Sequence, residues 1–118
     1  MSVLTTKWVK GTLTKEDVAE WLSQNLDNRD IMLLREDELA TRGNKEKYDE
    51  NFEHLLHCLY SIYEWYSKNW RPGHFLTAIL KNDLSEATGR ADSVNVKMLD
   101  IYAKFLYNVA PTNYKEKI

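Results

Sequence analysis

The sequence predicts a mainly α protein, a small helical bundle with a long central helical hairpin and a short extended segment near the N-terminus. Three observations support this fold class. The 118 residues include only four glycines and two prolines, the residues that most disfavour helix interiors. Hydrophobic residues make up 43% of the chain and charged residues 29%, as in soluble globular proteins. Apolar side chains also recur at helical spacing over long stretches.

One domain is expected over residues 1–118, with an N-terminal lobe (1–44), a helical core (45–111) and a short tail (112–118). Sixteen Lys and Arg against eighteen Asp and Glu give a net charge of −2. This balance makes nucleic acid an unfavoured partner, because proteins that bind nucleic acids neutralise phosphates with excess positive charge. The single cysteine excludes an internal disulfide and a multi-cysteine zinc site.

The N-terminal lobe contains one well-marked helix. Thr14 precedes two acidic residues and then apolar residues at helical spacing, which predicts an N-cap and a short amphipathic helix. Residues 8–13 are predicted to be extended. The short apolar run 31–34 fits either a strand paired with that segment or the start of a helix through residue 40. We favour the helix, with Asp30 as its cap.

The strongest helical pattern covers residues 45–70. Its apolar side chains fall within about 120° of one another on a helical projection. They are Tyr48, Phe52, Leu55, Leu56, Leu59, Ile62, Tyr63, Tyr66 and Trp70. Polar side chains fill the opposite face.

Two further helices are predicted after the Pro72-Gly73 break. The first covers residues 74–89, with Gly89 as its C-terminal stop. The second begins at Asp92 or Ser93 and ends near residue 110. It is apolar over most of its circumference, apart from a polar stripe formed by Lys97, Asp100, Lys104 and Asn108. Such a helix lies either at the centre of the bundle, which we favour, or against a partner chain.

Several familiar signals are missing from the sequence. The first residues lack the basic and apolar segments of a signal peptide, and no apolar run approaches the roughly 20 residues of a membrane span. Glycine-rich phosphate loops, nucleophile elbows and the His-Glu-x-x-His zinc motif are also missing. We therefore expect a cytoplasmic protein with no membrane partner. We also expect it to be non-enzymatic, with no catalytic residue, metal or cofactor.

One strip of the long helix carries groups with possible chemistry. Glu53, His57 and Glu64 have spacings that suit half a metal site or an acid–base pair. The strip points away from the core, so a solvated polar face is the favoured interpretation. Cys58 has His54 one turn earlier as a candidate base, although a lone cysteine is more often a small hydrophobic residue.

Asp83 lies at the edge of the apolar face of the 74–89 helix, where an unpaired carboxylate is energetically costly. One interpretation is an ion pair with Arg90 at the turn into the last helix, with Asp92 capping that helix and Asn95 satisfying a carbonyl. The other is a ligand pocket lined by the same residues. We favour the ion pair.

Aromatic residues crowd the second half of the long helix. Tyr63, Tyr66 and Trp70 fall on its core face. Tyr60 and Trp65 fall outside that face and are the candidate partner surface, because exposed aromatics are enriched at interaction hot spots.

The C-terminal third of the chain carries the pattern FLxAxLxNDLxxAxxRADxxN followed by LYNxxP. Its residues are Pro72, Phe75, Leu76, Asn82, Asp83, Leu84, Ala87, Arg90, Ala91, Asp92, Asn95, Leu106, Tyr107, Asn108 and Pro111. This block resembles one found in small uncharacterised accessory proteins of tailed bacteriophages and prophages. The resemblance implies a protein made in the cytoplasm of an infected bacterium. It brings no activity with it.

Three functional hypotheses follow. The leading one is a phage accessory protein that binds a host or phage protein, for example to inhibit a host or defence enzyme. The partner in that case is a host or phage protein, or a second copy of the chain. The alternative is a protein that binds a small ligand or nucleotide at the Asp83, Arg90 and Asp92 corner. The third is a metal-dependent enzyme using the strip on the long helix.

Overall fold

A computed structural model of the chain describes residues 2–35, 45–69, 72–81, 83–90, 95, 97–111 and 113–114. Within these residues the chain forms seven α-helices and no strand. The helices are α1 (Val3–Lys10), α2 (Lys15–Asn25), α3 (Asn28–Arg35), α4 (Lys45–Lys68), α5 (His74–Leu80), α6 (Leu84–Arg90) and α7 (Leu99–Asn108). The predicted helical bundle built on a long helix is confirmed. In the described part of the chain, no helix is both long enough and apolar enough to span a membrane.

Residues 3–10 form α1 and Gly11 ends it, so the prediction of an extended segment over residues 8–13 was wrong for residues 8–11. Hydrogen bonds satisfy both ends of α1. The Ser2 hydroxyl oxygen accepts the Thr5 N–H, and Gly11 adopts a left-handed conformation with a φ of 74°. The Gly11 N–H donates to the Trp8 carbonyl and the Thr12 N–H to the Lys7 carbonyl. This pair of bonds is a Schellman motif, which ends the helix and turns the chain towards α2.

Burial of Trp8 explains why this helix forms. Its side chain is 1% exposed, and its ring centroid lies 5.4 Å from that of Tyr63, 5.6 Å from Tyr66 and 5.7 Å from Phe105. The tryptophan therefore joins α1 to both α4 and α7. Tertiary packing of this kind outweighs the modest strand preference of valine, threonine and tryptophan.

The predicted cap of α2 is confirmed. The Thr14 hydroxyl accepts the Asp17 N–H, and the Asp17 carboxylate accepts the Thr14 N–H, forming a capping box. The Lys7 Nζ lies 2.9 Å from the same carboxylate, which ties α1 to α2. The Thr14 N–H first, and Lys7 second, hold the pKa of Asp17 below its usual range.

Helix α3 confirms the helical interpretation of residues 31–35, while residues 36–44 lie outside the described part of the chain. Its cap is Asp27 rather than the predicted Asp30. The Asp27 carboxylate accepts the Asp30 N–H, and the Asp30 Oδ2 accepts the Asp27 N–H. Asp30 is thus one turn inside the helix, and its residue exposure is 0%.

Asp30 is a buried carboxyl group that the bonds within its own turn do not fully satisfy. Its Oδ1 has no hydrogen-bond partner within the described residues, and the Arg29 guanidinium is 3.9 Å from it. Burial, and then the charges of Asp100 and Asp27, raise the pKa of Asp30. The protonated form is therefore favoured by folding.

The long helix α4 has the predicted apolar face. It ends at Lys68 rather than at the predicted residue 70, and Asn69 follows it with a positive φ of 57°. Trp70 lies outside the described residues. A polar residue on this helix fixes its contact with α3. Asn51 is 6% exposed, and its Nδ2 donates to the Leu34 carbonyl over 2.7 Å. The bond satisfies one of the carbonyls that the end of α3 leaves open.

The predicted single helix over residues 74–89 is two helices, α5 and α6, with a turn between them. Asp83 causes the break. Its Oδ1 accepts the Glu86 N–H over 3.1 Å, and its own N–H donates to the Ala78 carbonyl over 2.9 Å. An aspartate side chain competes well with the helix backbone in this way. Gly89 lies inside α6, which continues to Arg90, so it is not the predicted stop.

Helix α7 lies at the centre of the bundle, the favoured of the two predicted positions. Met98, Ile101, Tyr102 and Phe105 are each 0% exposed, and the predicted polar stripe is exposed. The predicted start at residues 92–93 lies outside the described part. Buried side chains from α1 to α7 belong to one hydrophobic cluster.

We expect Gly11→Ala to lower the free energy of unfolding by about 1–2 kcal/mol, because L-residues are strained in the left-handed conformation. The nearest atoms to the added Cβ are 4.0 Å away, so no steric clash adds to this value. Gly89→Ala is the matched control. Its Cβ meets no atom within 4 Å, and alanine should stabilise α6 by about 0.5–1 kcal/mol. Urea denaturation measures both, and changes of the same sign would contradict the assignment.

We also expect Asp30→Asn to change the pH dependence of stability. Because the pKa is raised in the folded chain, Asp30 ionises first in the unfolded chain as the pH rises above about 4. The free energy of unfolding of the wild-type protein therefore falls as the pH approaches neutrality. Asparagine does not ionise, so the variant does not show this decrease. The unfolding free energy of the variant minus that of wild type should rise from pH 4 to pH 7.

Asp17→Asn serves as the control of opposite sign. Its lowered pKa stabilises the folded chain at neutral pH, and this contribution is lost as the pH falls through the folded pKa. The variant should therefore be less stable than wild type at pH 7 and approach it on acidification. Parallel curves for wild type and both variants would refute the two assignments.

Candidate functional site

The three described residues of the predicted corner, Asp83, Arg90 and Asn95, do not converge on one site. Asp83 is exposed and caps α6. Arg90 is also exposed, and its Nε donates to the Glu86 Oε1 over 2.9 Å. The predicted ion pair between Asp83 and Arg90 was wrong, because Arg90 has an acidic partner one turn earlier on its own helix. Asp92 lies outside the described residues.

Asn95 has a structural position. It is 4% exposed, its Oδ1 accepts the Tyr102 hydroxyl over 2.6 Å, and its Nδ2 lies 3.9 Å from the Cys58 Sγ. The described contacts of its side chain are to a hydroxyl and a thiol. Asn95 links the region before α7 to α4 inside the core.

The two predicted surface aromatics are only partly exposed. The Tyr60 hydroxyl donates to the Leu13 carbonyl over 3.1 Å, which fastens the loop between α1 and α2 to α4. Burial raises the pKa of this phenol. Trp65 is half-buried, with its ring centroid 6.4 Å from that of Tyr66. The polar end of Tyr60 is therefore committed to the fold.

The strip considered for metal binding does not gather its ligands. Glu53 and His57 are exposed, and the Glu64 carboxylate lies 3.7 Å from Lys68. Among the described residues, no three His, Cys, Asp or Glu side chains are placed to hold a metal ion. Cys58 is 8% exposed, and its Sγ is 4.0 Å from the His54 Nε2, as the sequence allowed. With His57, Ser61 and Glu64, Cys58 lines a cleft of about 410 Å³.

Helices α5, α6 and α7 enclose an apolar surface depression, here called the α5–α7 hollow. Its volume is about 110 Å³. It is lined by Ala78, Ile79, Asp83, Ala87, Leu99, Ala103 and Leu106. Each of the three helices contributes one alanine, and these small side chains leave the space that larger ones would fill. Asp83 is the one charged residue among the described lining residues.

Ile79, Leu99 and Leu106 keep apolar surface at the hollow, since all three are half-buried. Ala103 is exposed at mid-helix. The hollow is thus a place where apolar side chains of α7 reach the protein surface, in addition to its exposed polar stripe.

Tyr107 is the functional candidate that sequence reasoning missed. It lies one turn after Ala103 on the same face of α7 and is 88% exposed. It also borders a wider depression of about 540 Å³ towards α1, beside Val9, which is 57% exposed. The sequence did hold one indication that Tyr107 is exposed. On a helical projection it lies between Ala103 and the polar stripe of α7, away from the apolar side.

These positions predict different effects for two tyrosines. Tyr60→Phe removes the bond to the Leu13 carbonyl and should lower the free energy of unfolding by about 1 kcal/mol. Tyr107→Phe changes an exposed side chain, and its effect should stay within about 0.5 kcal/mol. Urea denaturation at pH 7 checks both. If Tyr60→Phe were neutral, the hydroxyl would be free to serve a partner surface.

Comparison with known proteins assigns no family to this geometry. No family model, curated protein or solved structure matches the chain.

Proposed function

We propose that the protein is a non-enzymatic accessory protein that acts by binding another protein. The contact surface consists of the α5–α7 hollow and Tyr107, and is called the docking surface below. The phage-like block in the C-terminal third supports a host or phage protein as the partner. On this proposal the protein works in the cytoplasm of an infected bacterium, for example by inhibiting a host or defence enzyme.

The size of the hollow is the observation that carries the proposal. Small-molecule and cofactor sites usually measure about 300–1,000 Å³, whereas this hollow measures about 110 Å³. That volume suits one apolar side chain. Protein interfaces concentrate their binding energy where single side chains fill such pockets.

The exposure of Tyr107 supports the same conclusion. An 88% exposed tyrosine contributes little to the packing of its own chain. Tyrosine is among the residues enriched at interaction hot spots, because it offers a large apolar ring and a polar end. Its place one turn from Ala103 puts it next to the hollow.

The small-ligand alternative has weaker support. A nucleotide needs cationic or N–H donors gathered around its phosphates. In the described residues, Arg90 is engaged by Glu86, and Asn95 faces the core. Asp83, an anion, is the only charged residue among the described residues that line the hollow. The metal-dependent enzyme has still less support, because the strip on α4 is exposed and its groups are dispersed.

Ala103→Arg and Tyr107→Ala test the docking surface. The first covers the hollow with a long side chain, and the second removes the neighbouring ring. Both positions are exposed, so thermal unfolding should be nearly unchanged. In affinity capture from lysate of phage-infected bacteria, each should reduce recovery of a partner protein at least tenfold.

Gln24→Arg is the matched control, since it adds the same charge at an exposed position of α2. It should recover the partner as wild type does. The proposal is refuted if wild type captures no protein above background. Equal capture by wild type and both docking-surface variants would refute it as well.

A further inference from the structure

We infer that the partner presents an aliphatic side chain to the α5–α7 hollow, with a lysine or arginine beside it that pairs with Asp83. This inference rests on the proposed function and specifies the chemistry of the partner segment. It uses two properties of the hollow, namely its small apolar volume and the one carboxylate among its described lining residues.

The volume selects the apolar group. A cavity that holds a benzene ring measures about 150 Å³, and the hollow measures about 110 Å³. A leucine, isoleucine or methionine side chain therefore fits better than an aromatic ring. Half-buried Ile79, Leu99 and Leu106 supply its contacts, and covering them removes apolar surface from water.

The carboxylate selects the charge. Asp83 Oδ1 accepts the Glu86 N–H, while within the described part of the chain its Oδ2 makes no hydrogen bond and no cation lies within 4 Å. Arg90, the predicted partner, is held by Glu86. A docked segment that desolvates this carboxylate without a cation would pay a penalty.

Charge complementarity therefore favours a basic residue and rejects an acidic one. A Lys or Arg next to the aliphatic residue would reach the carboxylate as the side chain enters the hollow. A like charge at that place would be repelled. Three helices form the walls of the hollow. An amphipathic segment lying against them can present the aliphatic and the basic side chain on one face.

The test uses a displayed library of random twelve-residue peptides, selected on the immobilised full-length protein. We expect the enriched peptides to combine an aliphatic residue with Lys or Arg within four positions. Their affinity is then measured on wild type, Asp83→Asn and Ala103→Arg. Asparagine caps helices as well as aspartate does, so Asp83→Asn removes the charge and keeps the turn.

Asp83→Asn should weaken binding about two- to fivefold, the upper part of the range for an exposed ion pair. The wild-type affinity should fall with added salt and that of Asp83→Asn should change less, because salt screens the pair. Ala103→Arg should abolish binding.

Three results would overturn the inference. They are a selection that enriches no peptide, enriched peptides that lack a basic residue, and equal affinity for wild type and Asp83→Asn. Binding that is lost in Ala103→Arg but unchanged in Asp83→Asn leaves the docking surface in place and removes only the charge assignment. Binding that neither variant changes would refute both the docking surface and the charge assignment.

Discussion

Packing of Trp8 against three aromatic rings is the interaction on which the bundle depends. Its ring meets Tyr63 and Tyr66 of α4 and Phe105 of α7, and Trp21 of α2 reaches the same Phe105 with centroids 5.3 Å apart. Three of these contacts are edge-to-face and the Trp8–Phe105 contact is tilted. Aromatic pairs add about 0.5–1.5 kcal/mol each beyond the apolar area they bury. They fix the position of α7 between the N-terminal helices and α4. The outer side of α7 is thereby set against α5 and α6.

Local signals in the sequence predicted the elements whose determinants are local. The α2 capping box needs only Thr14 and Asp17, and the apolar face of α4 is a regular pattern within one element. Helix α1 has local caps at Ser2 and Gly11, but its burial depends on contacts of Trp8 with residues far along the chain, which periodicity over eight residues cannot reveal. The burial of Asp30 and Asn51 also depends on contacts between helices, since both residues lie where α3 meets another helix.

The candidate site was predicted in part. Helical projection placed Asp83 at an apolar edge, and it does line an apolar hollow. Its proposed partner was wrong, because Glu86 lies one turn before Arg90 on α6 and pairs with its guanidinium. The projection assumed one unbroken helix and so also missed the break between α5 and α6. Tyr107 was not among the predicted surface residues because aromatic residues on an apolar helix are expected to be buried, although its place beside the polar stripe marked an outward side of α7.

The break at Asp83 also sets how firmly the wall of the hollow is held. It leaves α5 and α6 as helices of seven residues each, about two turns, and helices this short are unstable without tertiary contacts. Local opening of such elements requires less free energy than global unfolding. Amide hydrogens of α5 and α6 will then exchange with solvent sooner than those in the middle of α4. A bound partner would slow exchange most where the free protein opens most readily, so binding and local ordering are coupled at this wall.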